Sequence, residues 1–189
     1  MAFKCKIIPS QEFNSSFKEA GIQFTTSNQY ITLSTFSIPG YAGRYSGSVT
    51  FSFWIKFTFG TNGGYVFRYY GDAYSLDYFS AYLQDDGKFS INFLGVPVET
   101  DPITPDEWKV ITITYVIYAD DPTYVYAYMD STLLVYTFTI SAVDVDFYSN
   151  DILTIGAPSS SFRGSLANFR IFTSGTAIVS NACNFSLRN

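Results

Sequence analysis

Hydrophobic and polar residues alternate with a period of two along the segment 49–59. Six apolar side chains fall on one side of this repeat: Val49, Phe51, Phe53, Ile55, Phe57 and Phe59. Successive side chains of a β-strand point to opposite faces, so the pattern predicts a long strand with one face in a core and one in solvent. We expect Phe51, Phe53, Ile55 and Phe57 to point into the space between two sheets.

The same alternation recurs along the rest of the chain, and no segment has a convincing helical period. Strands are predicted within 22–33 and over 65–70, 78–83, 88–94, 108–118, 123–129, 133–139, 152–156 and 165–172. The turns 85–87 and 130–132 predict hairpins. Three prolines in the segment 96–107 predict a crossing loop there. This succession of strands and short turns indicates an all-β fold of two packed antiparallel sheets.

The length of 189 residues fits one domain, which we expect to span 1–189 with a core at about 22–172. The 19 Phe residues are enough to fill such a core, whereas the 16 Tyr residues can either close its edges or line a ligand surface. Tyr124, Tyr126 and Tyr128 share one face of one predicted strand.

Charge and hydropathy disfavour two classes of partner. The net charge is -5, and the 11 Lys and Arg residues are scattered rather than gathered into a basic stripe, so nucleic acid is not expected. No apolar run approaches the ~20 residues of a membrane-spanning helix, and no membrane insertion is expected. The first twenty residues contain no apolar signal-peptide core.

The residue types also disfavour catalysis. The chain has no His, which excludes a Ser-His-Asp triad. Glycoside hydrolases need two carboxylates that flank the glycosidic bond, and no predicted strand carries a matching pair of acidic residues. We therefore predict a protein that is not an enzyme.

Four segments, in order along the chain, carry a family resemblance. They are a strand that ends in Trp54-Ile55-Lys56, a strand led by Trp108, a Tyr-Asp hairpin at 126–131, and a closing segment at 153–172. Together they resemble the laminin-G-like domains of the concanavalin A-like class. The resemblance implies a two-sheet antiparallel jelly-roll sandwich that acts as a lectin-like recognition or adhesion module. Ala167 and Asn168 depart from the Asp-Glu pair that the family carries there, which weakens a calcium site at that end.

A calcium site elsewhere has some support from acidic residues. Asp144 and Asp146 fall on the same side of an acidic loop, and Asp77 precedes a segment that resembles an Asp-led strand beside a calcium loop in some laminin-G-like domains. Carboxylate oxygens are the ligands that calcium prefers. The alternative is that these residues are solvated turn residues, because Asp is favoured in turns. No cofactor other than calcium is predicted.

The predicted ligand site is the run 68–74, at a strand-to-loop junction. Arg68, Tyr69, Tyr70, Asp72 and Tyr74 combine aromatic rings with opposite charges, a mixture that suits sugar rings and hydroxyls. The alternative is that the tyrosines close the edge of the core.

Cys5 and Cys183 lie near the two ends of the chain. They are either two unrelated thiols or one disulfide that joins the terminal strands, because the ends of a domain often lie close together. A disulfide would place the protein in an oxidising compartment.

These observations favour a recognition or adhesion module that binds carbohydrate or protein outside the cell or at its surface. The main alternative is a structural subunit of a larger assembly, buried through its Tyr-rich face. A glycoside hydrolase is a third alternative, which the residue types disfavour.

Overall fold

The computed structural model describes residues 21–33, 47–58, 60, 63–71, 77–118, 122–139 and 151–175. These residues form β1 (Ile22–Phe24), β2 (Tyr30–Leu33), β3 (Gly47–Lys56), β4 (Gly64–Tyr70), β5 (Asp77–Leu83), β6 (Phe89–Phe93), β7 (Val96–Glu99), β8 (Lys109–Ile117), β9 (Thr123–Met129), β10 (Thr132–Thr139), β11 (Ile152–Gly156) and β12 (Gly164–Gly175). None of the described residues belongs to a helix that could span a membrane.

The strands form two antiparallel sheets of six strands each. The first sheet has the order β1-β12-β3-β8-β9-β10, and the second has the order β2-β11-β4-β5-β6-β7. Sequence neighbours β8, β9 and β10 pair by hairpins, as do β4, β5, β6 and β7. The predicted all-β jelly-roll sandwich of two antiparallel sheets is therefore confirmed.

The core between the sheets is mainly aromatic. Phe51, Phe53, Ile55 and Phe57 are buried as predicted, while Phe59 lies outside the described residues. The ring of Phe51 stacks on that of Phe67 in the opposite sheet with a centroid distance of 4.3 Å. Large rings from both sheets thus interdigitate and fix how the sheets pack against each other.

The outer face of the first sheet carries hydroxyl and tyrosine side chains. Thr50 Oγ1 and Thr114 Oγ1 lie 3.0 Å apart across β3 and β8. On β9, Tyr124, Tyr126 and Tyr128 are half-buried and alternate with the buried residues Thr123, Val125 and Ala127. The three tyrosines therefore share the outer face, as the alternation predicts.

The predicted loop at 96–107 is wrong in its first part. Val96–Glu99 forms β7, which pairs with β6 at the edge of the second sheet. Proline is tolerated on an edge strand because its missing N–H is not needed by a second neighbour, and Pro97 occupies such a position. A two-residue turn at Leu94 (φ 49°) and Gly95 (φ 83°) connects the two strands, and its left-handed backbone matches a tight hairpin.

The closing strand β12 contains an irregularity where the family resemblance also breaks. Its register with β3 shifts between Ala167 and Arg170, and Asn168 adopts a left-handed backbone with φ 49°. Asn tolerates this conformation better than most residues, since its short polar side chain can bond locally. The departure from the family pattern thus coincides with a β-bulge.

Candidate functional site

The outer face of β4 presents Arg68 between two tyrosines. Val66 and Phe67 are both buried although they are adjacent, because the register between β4 and β5 shifts at Tyr65/Phe67. This shift directs Tyr65, Arg68 and Tyr70 outward, and each is partly exposed. A β-bulge inserts one extra residue and thereby changes which residues face the core.

Arg68 forms a forked ion pair with Asp77 at the start of β5. Its Nε lies 3.0 Å from Asp77 Oδ1 and 3.2 Å from Oδ2, and its second terminal nitrogen lies 2.7 Å from Oδ1. The guanidinium carbon also lies 4.8 Å from the ring centroid of Tyr65 and 5.1 Å from that of Tyr70. Both distances fall within the range of cation–π contacts. The planar guanidinium therefore holds one carboxylate and two rings in a fixed arrangement.

A third tyrosine extends this arrangement onto β5. Tyr65 pairs with Tyr82 across the two strands, and their rings meet edge to face at 5.1 Å and 88°. We define the Arg68 layer as Tyr65, Arg68, Tyr70, Asp77 and Tyr82. It is a continuous aromatic and charged surface on the outer face of the second sheet.

The charges of the Arg68 layer stabilise one protonation state. Burial lowers the pKa of Arg68, but its hydrogen bond to Asp77 and the charge of that carboxylate outweigh burial and raise it. Burial and the negative charge of Asp77 raise the pKa of Tyr65, against the opposing effect of Arg68. Near neutral pH the layer therefore offers a fixed cation and a phenol that keeps its proton.

Polar groups of β5 and β6 continue the same face. Ser80 lies opposite Arg68 in the register of β4 and β5, and Asn92 lies opposite Ser80 on β6. Asn92 Oδ1 accepts a hydrogen bond of 2.8 Å from the backbone N–H of Gly95. Beyond them, Gln84 Nε2 donates to Glu99 Oε1 at 3.0 Å. The surface thus combines three rings with hydroxyl, amide and carboxylate groups, which is a composition suited to a polyhydroxyl ligand.

The predicted role of Tyr69 as a ligand contact is wrong. Its side chain is fully buried, its ring stacks on Phe79 at 6.0 Å, and its hydroxyl donates to Asp151 Oδ2 at 3.2 Å. The bulge in β4 shifts the alternation, so Tyr69 faces the core while Arg68 and Tyr70 face outward. Of the predicted residues that the structure describes, Arg68 and Tyr70 lie together on the outer face. Asp72 and Tyr74 lie outside the described residues.

Gly71, at the end of β4, serves a packing requirement. A Cβ on this residue would lie 2.7 Å from the hydroxyl oxygen of Tyr78. Glycine therefore allows the Tyr78 hydroxyl to approach the backbone at position 71 closely.

The predicted calcium ligands are not brought together among the described residues. Asp77 is engaged by Arg68, and no group of three or more Cys, Asp or Glu side chains within the described ranges could hold a metal ion. Asp144 and Asp146 lie outside those ranges, so a calcium site at their loop stays a prediction. Cys5 and Cys183 also lie outside them, and the disulfide stays a prediction too.

Sequence reasoning missed Tyr65, Tyr82 and the pairing of Asp77 with Arg68. The antiparallel pairing of β4 with β5 is the signal that could have identified them, because paired strands place residues of one face side by side. The register shifts at Tyr65/Phe67 and at Tyr69/Tyr70 obscure that relation in the sequence. Asp77 therefore appears in the sequence as a loop carboxylate, whereas in the fold it lies beside Tyr70 and under the guanidinium.

No protein-family model and no curated protein sequence matches this chain. Solved structures do match it. The binding domain of botulinum neurotoxin serotype D has a TM-score of 0.65 and 13% identity, over 92% of this chain and 43% of that chain. The receptor binding domain of botulinum neurotoxin C/D mosaic serotype has a TM-score of 0.62 and 12% identity, over 90% of this chain and 43% of that chain. The sialidase of Trypanosoma rangeli has a TM-score of 0.55 and 9% identity, over 80% of this chain and 25% of that chain.

These likenesses concern the fold. The chain spans 43% of the length of the two neurotoxin domains and 25% of the sialidase. At identities of 13% or less, a shared backbone does not carry over a site. The chain thus has the two-sheet jelly-roll sandwich that occurs in part of each of these three proteins.

Proposed function

We propose that this protein is a non-catalytic recognition module that binds carbohydrate through the Arg68 layer. The observation that carries the proposal is the arrangement of three outward tyrosines around a guanidinium that is fixed by Asp77. Such a surface is ordered before a ligand arrives, so binding requires little further loss of side-chain freedom. A protein ligand on the same face is the alternative.

The chemistry of the layer suits sugars. Aromatic rings offer apolar faces to the C–H patches of a sugar, and partly exposed Tyr65, Tyr70 and Tyr82 supply such rings together with hydroxyls. Asp77 offers acceptor oxygens, and the half-buried Asn92 extends the polar rim. Asp72 and Tyr74, which follow Tyr70 in the chain, complete the predicted site at its loop end.

Two further observations support a recognition role. Two of the matched solved structures are described as binding domains of neurotoxins. The four landmark segments resemble laminin-G-like domains, in which the sandwich serves adhesion and ligand binding. An extracellular or cell-surface location and a calcium requirement at Asp144 and Asp146 belong to the same proposal.

A glycan array with the full chain tests the proposal. We expect saturable binding to a subset of glycans. The affinity for these glycans should be at least tenfold lower in Arg68→Gln and in Tyr82→Phe. The matched control is Tyr126→Phe, which removes a hydroxyl from the outer face of the first sheet and should bind as the unaltered chain does. Arrays with calcium and with a chelator separate the calcium proposal from the carbohydrate proposal. Equal binding by all variants would reject the Arg68 layer as the site.

A second candidate function is that of a structural subunit, and one specific surface favours it. The outer face of the first sheet carries Trp54 and Phe172, which are 40% and 49% exposed, and the row of half-buried tyrosines on β9 lies on the same face. Exposed aromatic surface of this kind is typical of contacts between proteins. Sedimentation of the purified chain tests this candidate: a concentration-dependent oligomer that Trp54→Lys dissolves supports it, and a monomer at all concentrations rejects it.

A further inference from the structure

An open cleft lies at one end of the first sheet, at the C-terminal end of β3. It has a volume of about 590 Å³ and is lined by Gln23, Phe24, Thr25, Lys56, Phe57, Thr58, Trp108, Arg163, Gly164 and Ser165. This volume falls within the ~300–1,000 Å³ of small-molecule sites. None of the lining residues belongs to the Arg68 layer, which is on the outer face of the other sheet. We call this space the Trp108 cleft.

The strand register builds the floor of the Trp108 cleft. Ser165 on β12 pairs with Gln23 on β1 and with Lys56 on β3, so the three side chains form one row across the sheet. Lys109 pairs with Ile55, which places the preceding residue, Trp108, beside Lys56 in the same row. The indole reaches across the sheet, because its Cη2 would lie 3.5 Å from a Cβ on Gly21.

Glycine at position 164 is needed for this geometry. A Cβ there would lie 2.5 Å from the backbone oxygen of Lys56 and 3.0 Å from the ring of Phe162. The absence of a side chain lets β12 start close to the end of β3. Arg163 and Lys56 therefore line the same opening.

The lining of the Trp108 cleft is positively charged. Within the described part of the chain it contains two cations, Lys56 and Arg163, and no carboxylate, although the whole chain has a net charge of -5. The nearby carboxylate of Asp106 accepts a hydrogen bond of 2.6 Å from Thr58 Oγ1. Among the described residues, Arg163 Nε is buried and has no hydrogen-bond partner. A buried donor without an acceptor is costly, so a ligand oxygen at this guanidinium would be favoured.

The remaining lining residues surround this charge with neutral polar groups and one ring. Thr25, Thr58, Ser165 and Gln23 offer hydroxyls and an amide, and Trp108 offers an aromatic surface. A ligand with a single negative charge on a ring that bears hydroxyls matches each of these features. A simple inorganic anion would use the cations alone and leave the indole and the hydroxyls without a role.

We propose that the Trp108 cleft is a second binding site, for a sugar unit that carries a carboxylate or a sulfate. Arg163 and Lys56 pair with the anionic group, since a guanidinium donates two parallel hydrogen bonds to such oxygens. The sugar ring packs on Trp108, and the threonine and serine hydroxyls bind its hydroxyls. This site is independent of the Arg68 layer and of whether that layer binds carbohydrate.

Indole fluorescence provides a direct test. The chain has two tryptophans, so Trp54→Phe leaves Trp108 as the only indole, and Trp54 does not line the cleft. The probes are methyl β-D-glucuronide, the methyl glycoside of N-acetylneuraminic acid, and galactose 6-sulfate, each titrated to about 10 mM, which includes Kd values near 1 mM. Methyl β-D-glucoside and sodium sulfate are the neutral-sugar and inorganic-anion controls.

We expect a saturable change in Trp108 fluorescence with at least one acidic sugar, and binding at least tenfold weaker for both controls. Arg163→Gln and, separately, the more exposed Lys56→Gln should each weaken binding at least fivefold. Arg68→Gln should leave it unchanged. Higher ionic strength should also weaken binding, because salt screens the ion pair.

Three results would overturn the proposal. The first is the absence of a saturable change in Trp108 fluorescence with all three acidic sugars. The second is that methyl β-D-glucoside or sulfate binds as tightly as the acidic sugar. The third is that Arg163→Gln and Lys56→Gln both keep the affinity of the unaltered chain. Melting temperatures of the variants identify any loss that reflects unfolding, and Lys56→Gln keeps the test valid if Arg163→Gln does not fold.

Discussion

The Arg68–Asp77 pair can be tested by a double-mutant cycle, because it fixes the geometry of the proposed binding surface. The side chains of Arg68 and Asp77 are 29% and 10% exposed, so the pair is neither fully solvated nor fully buried. Exposed pairs contribute about 0.2–1 kcal/mol, whereas breaking a buried pair by removing one partner costs about 3–5 kcal/mol. With solvent screening on the Arg68 side, we expect a coupling energy of about 1–2 kcal/mol.

The cycle uses Arg68→Gln, Asp77→Asn and the double variant, with unfolding in urea at neutral pH. Each single change should lower the free energy of unfolding by about 2 kcal/mol, and the double change should cost little more than either one. The reason is that each single variant leaves a partly buried charge without its partner, and the second change removes that charge. The slope of the free energy against urea should stay constant in all four proteins.

A matched ion pair on the surface provides the control. Lys88 and Asp86 lie 3.6 Å apart and are 36% and 54% exposed, so their coupling should be at most about 0.5 kcal/mol. High salt should reduce that coupling more than the coupling of Arg68 with Asp77. If both pairs give the same small coupling, Asp77 does not order the guanidinium and the preorganised surface is refuted.

Three other predictions concern the core and the backbone. Phe53→Ala should lower the free energy of unfolding in urea by about 3–5 kcal/mol, because the ring is fully buried and stacks on Phe169 at 5.7 Å. The control is Ser52→Ala on the outer face, which should cost under about 1 kcal/mol. Gly156→Ala should lower the melting temperature much more than Gly95→Ala. Both glycines have a positive φ, 76° and 83°, but a new Cβ would lie 2.6 Å from the backbone oxygen of Gln29 at position 156 and in open space at position 95. Equal losses of melting temperature would contradict this. Burial raises the pKa of Tyr115 well above 10.0, so its stabilisation is complete below pH 10.0 and is lost as the pH rises further. Ultraviolet titration should show phenols that ionise late, and Tyr115→Phe should remove one of them.

Much of the fold is predictable from the sequence, because one-sided burial imposes a period of two on each strand. The alternation in 49–57 locates β3 and its buried face, and the predicted strands at 123–129 and 152–156 match β9 and β11. The turn Asp85-Asp86-Gly87 joins β5 and β6, as an Asp-Gly turn should. These elements depend on local pattern and on turn chemistry alone.

The parts that were not predictable depend on contacts between strands. β7 was missed because its Pro97 is acceptable only on an edge strand, and sequence does not show which strand lies at the edge. Tyr69 was predicted to lie at a strand-to-loop junction, whereas β4 extends to Tyr70 and the Tyr69 ring is buried in the core. The pairing of Asp77 with Arg68 depends on the second register shift between β4 and β5, at Tyr69/Tyr70, which places Asp77 opposite Tyr70.

The measurement that most directly tests carbohydrate binding by the Arg68 layer is an NMR titration of the full chain. The probe is the glycan with the strongest array signal, and the observable is the change in backbone amide shifts along each strand. We expect the changes to concentrate in β4 and β5, around Tyr65, Arg68 and Tyr82, and to be absent from β9. Changes confined to the outer face of the first sheet or to the Trp108 cleft, with β4 and β5 unmoved, would contradict the proposed site, as would the absence of any bound glycan.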